Sequence, residues 1–192
     1  MSRTALPDRS GARKTWCRWI ATGALLAGAV VSAGAGAAGR VGVLRYSVPV
    51  PAHWQAQAPA SSFRLAQFRV PGAPGGSDAE AVVFHFGAGQ GGSAAANIAR
   101  WTSQFTGSDG KPVSPRRETF SVDALSVTLV ELSGTYARGM GGMGGAPKPD
   151  QMLLAAVVEA PEGNVIFQLH GDGTTVAANR RAFLEMVKGW KP

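Results

Sequence analysis

The sequence predicts an α+β fold, in which an antiparallel β-sheet is flanked by two amphipathic helices. Strand-like runs outnumber helical segments, and four such runs follow residue 110 with no crossover helix between them. Each of the two helical segments carries a single apolar stripe, which is typical of a helix that packs on a sheet. A parallel α/β sheet needs a helix between successive strands, so these patterns favour the antiparallel arrangement.

Residues 1–39 have the pattern of a secretory signal peptide. Five basic residues precede an apolar run at residues 19–31, and small residues with Ala-x-Ala spacing follow it. The run is short and rich in Ala and Gly beside the ~20 residues that a membrane-spanning helix needs. We therefore predict cleavage, with no stable membrane insertion afterwards, and a single domain at residues 40–192 in the periplasm or outside the cell.

The predicted mature chain has no cysteine and little net charge. Cys17, the single cysteine, precedes the apolar run, so the folded domain has no disulfide to stabilise it. Removal of residues 1–39 leaves 14 basic and 11 acidic residues, a net charge of +3 instead of +7. No basic run is interleaved with aromatic residues, and this composition argues against a nucleic-acid partner.

The first half of the domain contains three strand-like runs. Residues 41–50 are β-prone and end at two prolines, and Trp54 gives the Pro/Ala-rich link that follows an apolar anchor. Runs at 63–70 and 79–86 are separated by a Pro/Gly-rich loop, which predicts an antiparallel hairpin with a long connection.

A glycine-dense segment at 87–92 leads into the first predicted helix. Ser93 is a natural N-cap, because its hydroxyl can accept a hydrogen bond from a free backbone N–H of the first turn. One apolar stripe is predicted from residues that recur at helical spacing: Ala94, Ile98, Trp101 and Phe105. Asn97, Arg100 and Gln104 fall on a neighbouring polar side. With Ser93 they form either a solvated face or a recognition surface.

The second half reads as two hairpins and a helix. The hairpins pair residues 118–122 with 125–134 and residues 152–160 with 165–170, and a Gly/Met-rich loop at 138–149 lies between them. The C-terminal amphipathic helix is marked by Val176, Phe183, Val187 and Trp190.

Several phrases of the sequence resemble a group of small exported bacterial proteins of unknown function. They are residues 61–68, residues 89–93 with Asn97-Ile98 and Arg100-Trp101, residues 133–136 and residues 167–171. The resemblance covers most of the mature chain. It implies a PsbP/Mog1-like sandwich, an antiparallel sheet flanked by helices, and implies no activity.

Two motifs of enzymes and nucleotide-binding proteins occur around the glycine-dense segment. Gly87-x-Gly89-x-x-Gly92 matches the dinucleotide fingerprint, but the strand that follows the helix is predicted to belong to a hairpin rather than a parallel unit. Ser93, Asp150 and His170 occur in the chain order of a serine hydrolase, but a parallel sheet that presents the serine is not predicted. A small serine hydrolase is therefore a weak alternative.

A copper site is the other alternative. Met140 and Met143 offer soft thioether ligands that suit Cu(I), and the imidazoles are His53, His85 and His170. These histidines are scattered along the chain, whereas metal sites usually show close ligand spacing. We expect no cofactor, no metal site and no catalytic residue. The main expectation is an exported, non-catalytic domain that binds a protein partner in the cell envelope, of unknown oligomeric state.

Overall fold

The structure is a computed structural model that describes residues 39–137 and 146–191. The strands are β1 (Arg40–Val43), β2 (Tyr46–Pro49), β3 (Gln55–Gln57), β4 (Arg64–Val70), β5 (Ala79–His85), β6 (Phe105–Thr106), β7 (Arg116–Val122), β8 (Leu125–Tyr136), β9 (Lys148–Glu159) and β10 (Val165–Asp172). The helices are α1 (Ala94–Thr102), α2 (Gly173–Ala178) and α3 (Arg180–Lys188). Residues 1–38 of the predicted signal peptide lie outside the described residues.

Within the described ranges, eight strands form one antiparallel sheet in the order β3-β4-β5-β10-β9-β8-β6, and β7 pairs with the first part of β8. The long strand β9 lies near the middle, and its residues 152–158 are all buried. A strand that is buried on consecutive positions has both faces covered. The predicted α+β class is therefore confirmed, as are the three predicted hairpins, which are β4–β5, β7–β8 and β9–β10.

Gly134 marks the point where β8 changes partner. Up to Glu131 this strand pairs with β7, and at Thr135 and Tyr136 it pairs with β6 instead. Gly134 has φ of +146°, and a side chain there would collide with the carbonyl oxygen of Thr106. Only glycine permits this close crossing without strain.

The structure corrects two boundaries of the predicted elements. The run at 41–50 is a separate hairpin, β1–β2, which turns at Leu44 with φ of +56°. The Gly/Met-rich loop was predicted to extend to residue 149, but β9 already begins at Lys148, which pairs with Tyr136. The rest of that loop, residues 138–145, lies outside the described residues.

The C-terminal segment forms two helices where one was predicted, so the described chain has three helices. The break falls at the buried residue Asn179. Its Oδ1 accepts from Trp54 Nε1 at 3.0 Å and lies 2.6 Å from His53 Nε2, while its Nδ2 donates to the Thr175 carbonyl at 2.9 Å. An asparagine that bonds both to the link around Trp54 and to the preceding helical turn favours a break over a continuous helix.

We call the two faces of the sheet the closed face and the open face. The closed face is covered by α2, α3 and the β1–β2 hairpin, and its buried side chains include Val127, Leu154, Phe167 and Leu169. Among the described helices, α1 is the one on the open face, whose buried side chains include Val130, Leu132, Leu153, Ala155 and Ile166. This helix of nine residues covers β8, β9 and the start of β10, and no other described helix covers the β5 side of this face.

Candidate functional site

A groove of about 680 Å³ lies on the open face, between α1 and the part of the sheet formed by β4, β5 and β10. Its floor includes Val82 on β5 and Gln168 on β10, which are neighbours in the antiparallel register. The volume falls in the range of ordinary small-molecule sites, roughly 300–1,000 Å³. Sequence analysis did not predict this groove.

Aromatic rings form one side of the groove. The ring of Phe84 stacks on Phe86 at 6.0 Å between centroids, and Phe86 stacks in turn on Phe63 at 5.2 Å. Phe63 is 51% exposed, so this row of rings runs from solvent to the groove. Trp101 of α1 and Tyr136 of β8 add aromatic surface to the lining. Such surfaces bind flat apolar groups by stacking.

Charged side chains on β4 and β5 form the second side. Arg64 Nη1 donates to Glu80 Oε1 at 3.0 Å, and the same carboxylate oxygen accepts from Gln67 Nε2 at 2.8 Å. The Arg64 guanidinium also lies over the Phe84 ring, 5.4 Å from its centroid. This network holds Arg64 and Glu80 in fixed positions at the groove.

α1 and the start of β9 contribute two further cations. Arg100 and Lys148 both line the groove and are exposed. Neither forms an ion pair with a carboxylate in residues 39–137 or 146–191. Arg100 Nη2 donates to Asn97 Oδ1 at 2.6 Å, which orients the guanidinium but does not neutralise it.

The four residues of the predicted recognition surface have different roles. Arg100 and Gln104 line the groove. Asn97 was predicted on a polar, solvated side, but it is only 2% exposed, because its Nδ2 donates to the carbonyls of Gly91 at 2.7 Å and Ser93 at 3.0 Å. Ser93 is the N-cap of α1, as predicted, and its hydroxyl accepts from the backbone N–H of Ala96 at 3.1 Å. Whether these residues recognise a partner stays a prediction.

The apolar stripe of α1 is shorter than predicted. Ile98 and Trp101 are buried against the open face, but the helix ends at Thr102 and Phe105 belongs to β6. Phe105 is nevertheless 1% exposed, since its ring packs against Tyr136 at 5.2 Å between centroids.

The glycine-dense segment connects β5 to α1 and has a structural use. Gly91 has φ of +80°, a backbone conformation that other residues rarely adopt, and its carbonyl accepts from Asn97. The carbonyl of Gly92 accepts from Asn164 Nδ2 at 3.0 Å. After α1 the chain enters β6, which pairs antiparallel with β8, so in the described part of the chain the motif lacks the parallel strand of a dinucleotide site.

The residues of the hydrolase alternative are not brought together. Ser93 begins α1, whereas the ring of His170 packs on Tyr136 at 4.4 Å and on Phe105 at 6.2 Å, beyond the other end of that helix. A serine and a histidine at opposite ends of α1 cannot share the hydrogen bond that activates a nucleophile. Asp150 lies on β9 with φ of +54°.

The histidines of the copper alternative lie in three separate places. His53 contacts Asn179, and His85 Nε2 lies 3.1 Å from the carbonyl oxygen of Glu162. His85 and His170 are at opposite ends of the β5–β10 pairing, because His85 is aligned with Val165 and His170 with Glu80. Residues 39–137 and 146–191 contain no cluster of three His, Cys, Asp or Glu side chains suited to a metal ion. Met140 and Met143 lie outside these ranges.

A signal for the groove is present in the sequence of β10. Val165, Phe167 and Leu169 point to the closed face, while Gln168 and His170 occupy the alternate positions that line the groove. Two polar residues at alternate positions of an otherwise apolar strand indicate a face that is only partly covered.

No family model matches the sequence, and no curated protein matches it. Solved structures resemble the chain in fold. The protein PA94 of unknown function from Pseudomonas aeruginosa is 15% identical with a TM-score of 0.48, covering 82% of this chain and 98% of its own. The solution structure of the cyanobacterial PsbP protein CyanoP from Synechocystis sp. PCC 6803 is 14% identical with a TM-score of 0.47, covering 82% and 95%. The chain thus has a PsbP-like fold neighbour, as its sequence predicted. Both similarities concern shape alone.

In the two described ranges, no helix combines the length and the apolar character needed to cross a membrane. The longest helices there, α1 and α3, have nine residues each.

Proposed function

We propose that this protein is an exported, non-catalytic binding protein of the cell envelope, and that the groove on the open face is its ligand site. The observation that carries the proposal is the groove itself, which combines aromatic surface at Phe84 and Tyr136 with fixed polar groups at Glu80 and Arg100. A concave, largely preformed site with a few oriented polar groups is the usual form of a ligand pocket.

The polar groups favour binding over catalysis. Glu80 is held in a salt bridge with Arg64, and Arg100 is hydrogen-bonded to Asn97. Catalysis of proton transfer or acyl transfer needs a base within hydrogen-bond reach of a nucleophile or a reacting proton. Neither of these two pairs places a base beside a nucleophilic side chain, so they favour the orientation of a ligand.

Export is supported by the sequence of residues 1–39, with its basic start, apolar run and small residues. We expect the N-terminal residue of the protein recovered from the envelope or the medium to lie near residue 40. N-terminal sequencing of protein from fractionated cells tests this. Full-length protein in the cytoplasmic fraction would contradict it.

The binding proposal is tested with N-phenyl-1-naphthylamine, a neutral dye whose emission rises in apolar sites. Gln168→Trp places an indole on the groove floor, and Gln104→Trp places one at its rim. We expect both variants to lose most of the dye binding of the original protein. Fluorescence titration measures the binding of the dye, and circular dichroism checks that each variant is folded.

Gln55→Trp is the matched control, because Gln55 is exposed on the short edge strand β3 and does not line the groove. This variant should bind the dye like the original protein. Equal binding by all three folded variants would show that the dye site is elsewhere, and the proposed ligand site would be wrong.

A further inference from the structure

The charges of the groove do not balance. Among the described residues of the lining, three carry cationic side chains, Arg64, Arg100 and Lys148, and Glu80 carries the only carboxylate. With His170 left uncharged, these residues carry a net charge of +2.

The unbalanced charge comes from α1 and from the start of β9. Glu80 is already engaged by Arg64 at 3.0 Å. Arg100 and Lys148 face the groove with no carboxylate partner in the described ranges. A guanidinium and an ammonium in one groove attract an anion, and the planar guanidinium matches a carboxylate with two parallel hydrogen bonds.

The groove that contains these cations also has flat apolar surface. Phe84 and Tyr136 are half-buried and line the same groove, and Phe86 and Phe63 continue the row of rings to solvent. A ligand that satisfies both regions has a planar apolar body and one negative group.

We infer that the groove binds a small aromatic carboxylate, whose ring lies on Phe84 and Tyr136 and whose anionic group bonds to Arg100 and Lys148. This inference rests on the proposed function, since it assigns a ligand chemistry to the same site. The affinity depends on the negative charge as well as on the ring.

The test compares 2-naphthoate with 2-naphthamide, which have the same ring system but differ in charge. We expect the carboxylate to bind about tenfold more tightly, the size of one good charge-assisted contact in a partly exposed site. Isothermal titration of the purified protein measures both constants. Added salt should weaken the binding of naphthoate and leave that of naphthamide nearly unchanged.

The double variant Arg100→Gln with Lys148→Gln should remove the preference for naphthoate and keep the binding of naphthamide. Arg116→Gln with Arg117→Gln is the matched control, because these arginines are exposed on β7 and do not line the groove. The control should keep the tenfold preference.

Equal affinity for the two compounds would overturn the anion inference, while binding of N-phenyl-1-naphthylamine in the groove would still support the proposed function. Binding of the dye without either naphthyl compound would also overturn it. If a preference for naphthoate survives in the double variant, the anion lies elsewhere and the inference is wrong.

Discussion

The two faces of the sheet share the same strands but are built differently. The closed face meets two helices and a hairpin, and buried apolar side chains extend across it from Val43 on β1 to Trp190 after α3. The open face meets one short helix, and beyond Trp101 its lining changes to Glu80, Gln168 and His170. The two faces therefore have different roles. Burial of apolar side chains on the closed face stabilises the fold, whereas part of the open face is less buried and forms a groove.

The sharpest test of this division uses two adjacent residues of β10. Leu169 is fully buried on the closed face, while Gln168 is half-buried at the groove. We expect Leu169→Gln to lower the free energy of unfolding by about 3–5 kcal/mol, because it removes buried apolar surface and places an amide among apolar side chains. Urea unfolding followed by tryptophan fluorescence measures the change.

Gln168→Leu is the matched control, because it makes the reverse substitution at the adjacent position. It should change the free energy of unfolding by less than about 1 kcal/mol, since Gln168 is only half-buried at the groove. Similar losses in both variants would mean that the two faces are equally packed. The distinction between a stabilising face and a binding face would then fail.

Much of the fold was predictable because the signals are local. A few adjacent residues determine each of three features: the alternation of apolar and polar residues along β7 and β8, the turn at Asp123 with φ of +51°, and the Ser93 cap. The break at Asn179 was not predictable from helical spacing, because it depends on hydrogen bonds to Trp54 and His53, more than 120 positions earlier. Tertiary contacts of this kind override local propensity.

The groove was harder to predict than the fold. Arg100 and Gln104 were identified as polar residues of the helix, but their neighbours Arg64, Glu80 and Gln168 come from three other segments. Which strands meet on the uncovered part of a face depends on sheet order and on the length of α1, and neither follows from the local sequence. The burial of Asn97 shows the same limit, since its carbonyl partners lie in the loop before the helix.

The next largest effect concerns Asn97, whose side chain bonds α1 to the loop that precedes it. Asn97→Ala removes the donors to the Gly91 and Ser93 carbonyls and the acceptor for Arg100. We expect a loss of about 1–3 kcal/mol in the free energy of unfolding, because the hydrogen bonds of a buried amide are lost. Naphthoate should also bind more weakly, since Arg100 is no longer oriented.

Arg100→Gln separates these two effects. It keeps the donors of Asn97 to the Gly91 and Ser93 carbonyls but removes the cation, so the preference for naphthoate over naphthamide should fall while the stability remains. Denaturant unfolding and isothermal titration on the same samples measure both quantities. An unchanged stability in Asn97→Ala would show that this asparagine does not hold α1 to the loop before it.

The smallest effect concerns the cap of the same helix. Ser93→Ala removes the acceptor of the Ala96 N–H and should cost about 1 kcal/mol. Ser93→Asp should restore the stability, because a carboxylate also caps and the first turn of α1 contains no acidic residue. Neither variant should change the binding of N-phenyl-1-naphthylamine, since Ser93 does not line the groove.

A hydroxyl needed as a nucleophile would not be replaced by a carboxylate. An esterase activity that Ser93→Asp abolished in a stable protein would therefore show that the open face carries chemistry beyond binding.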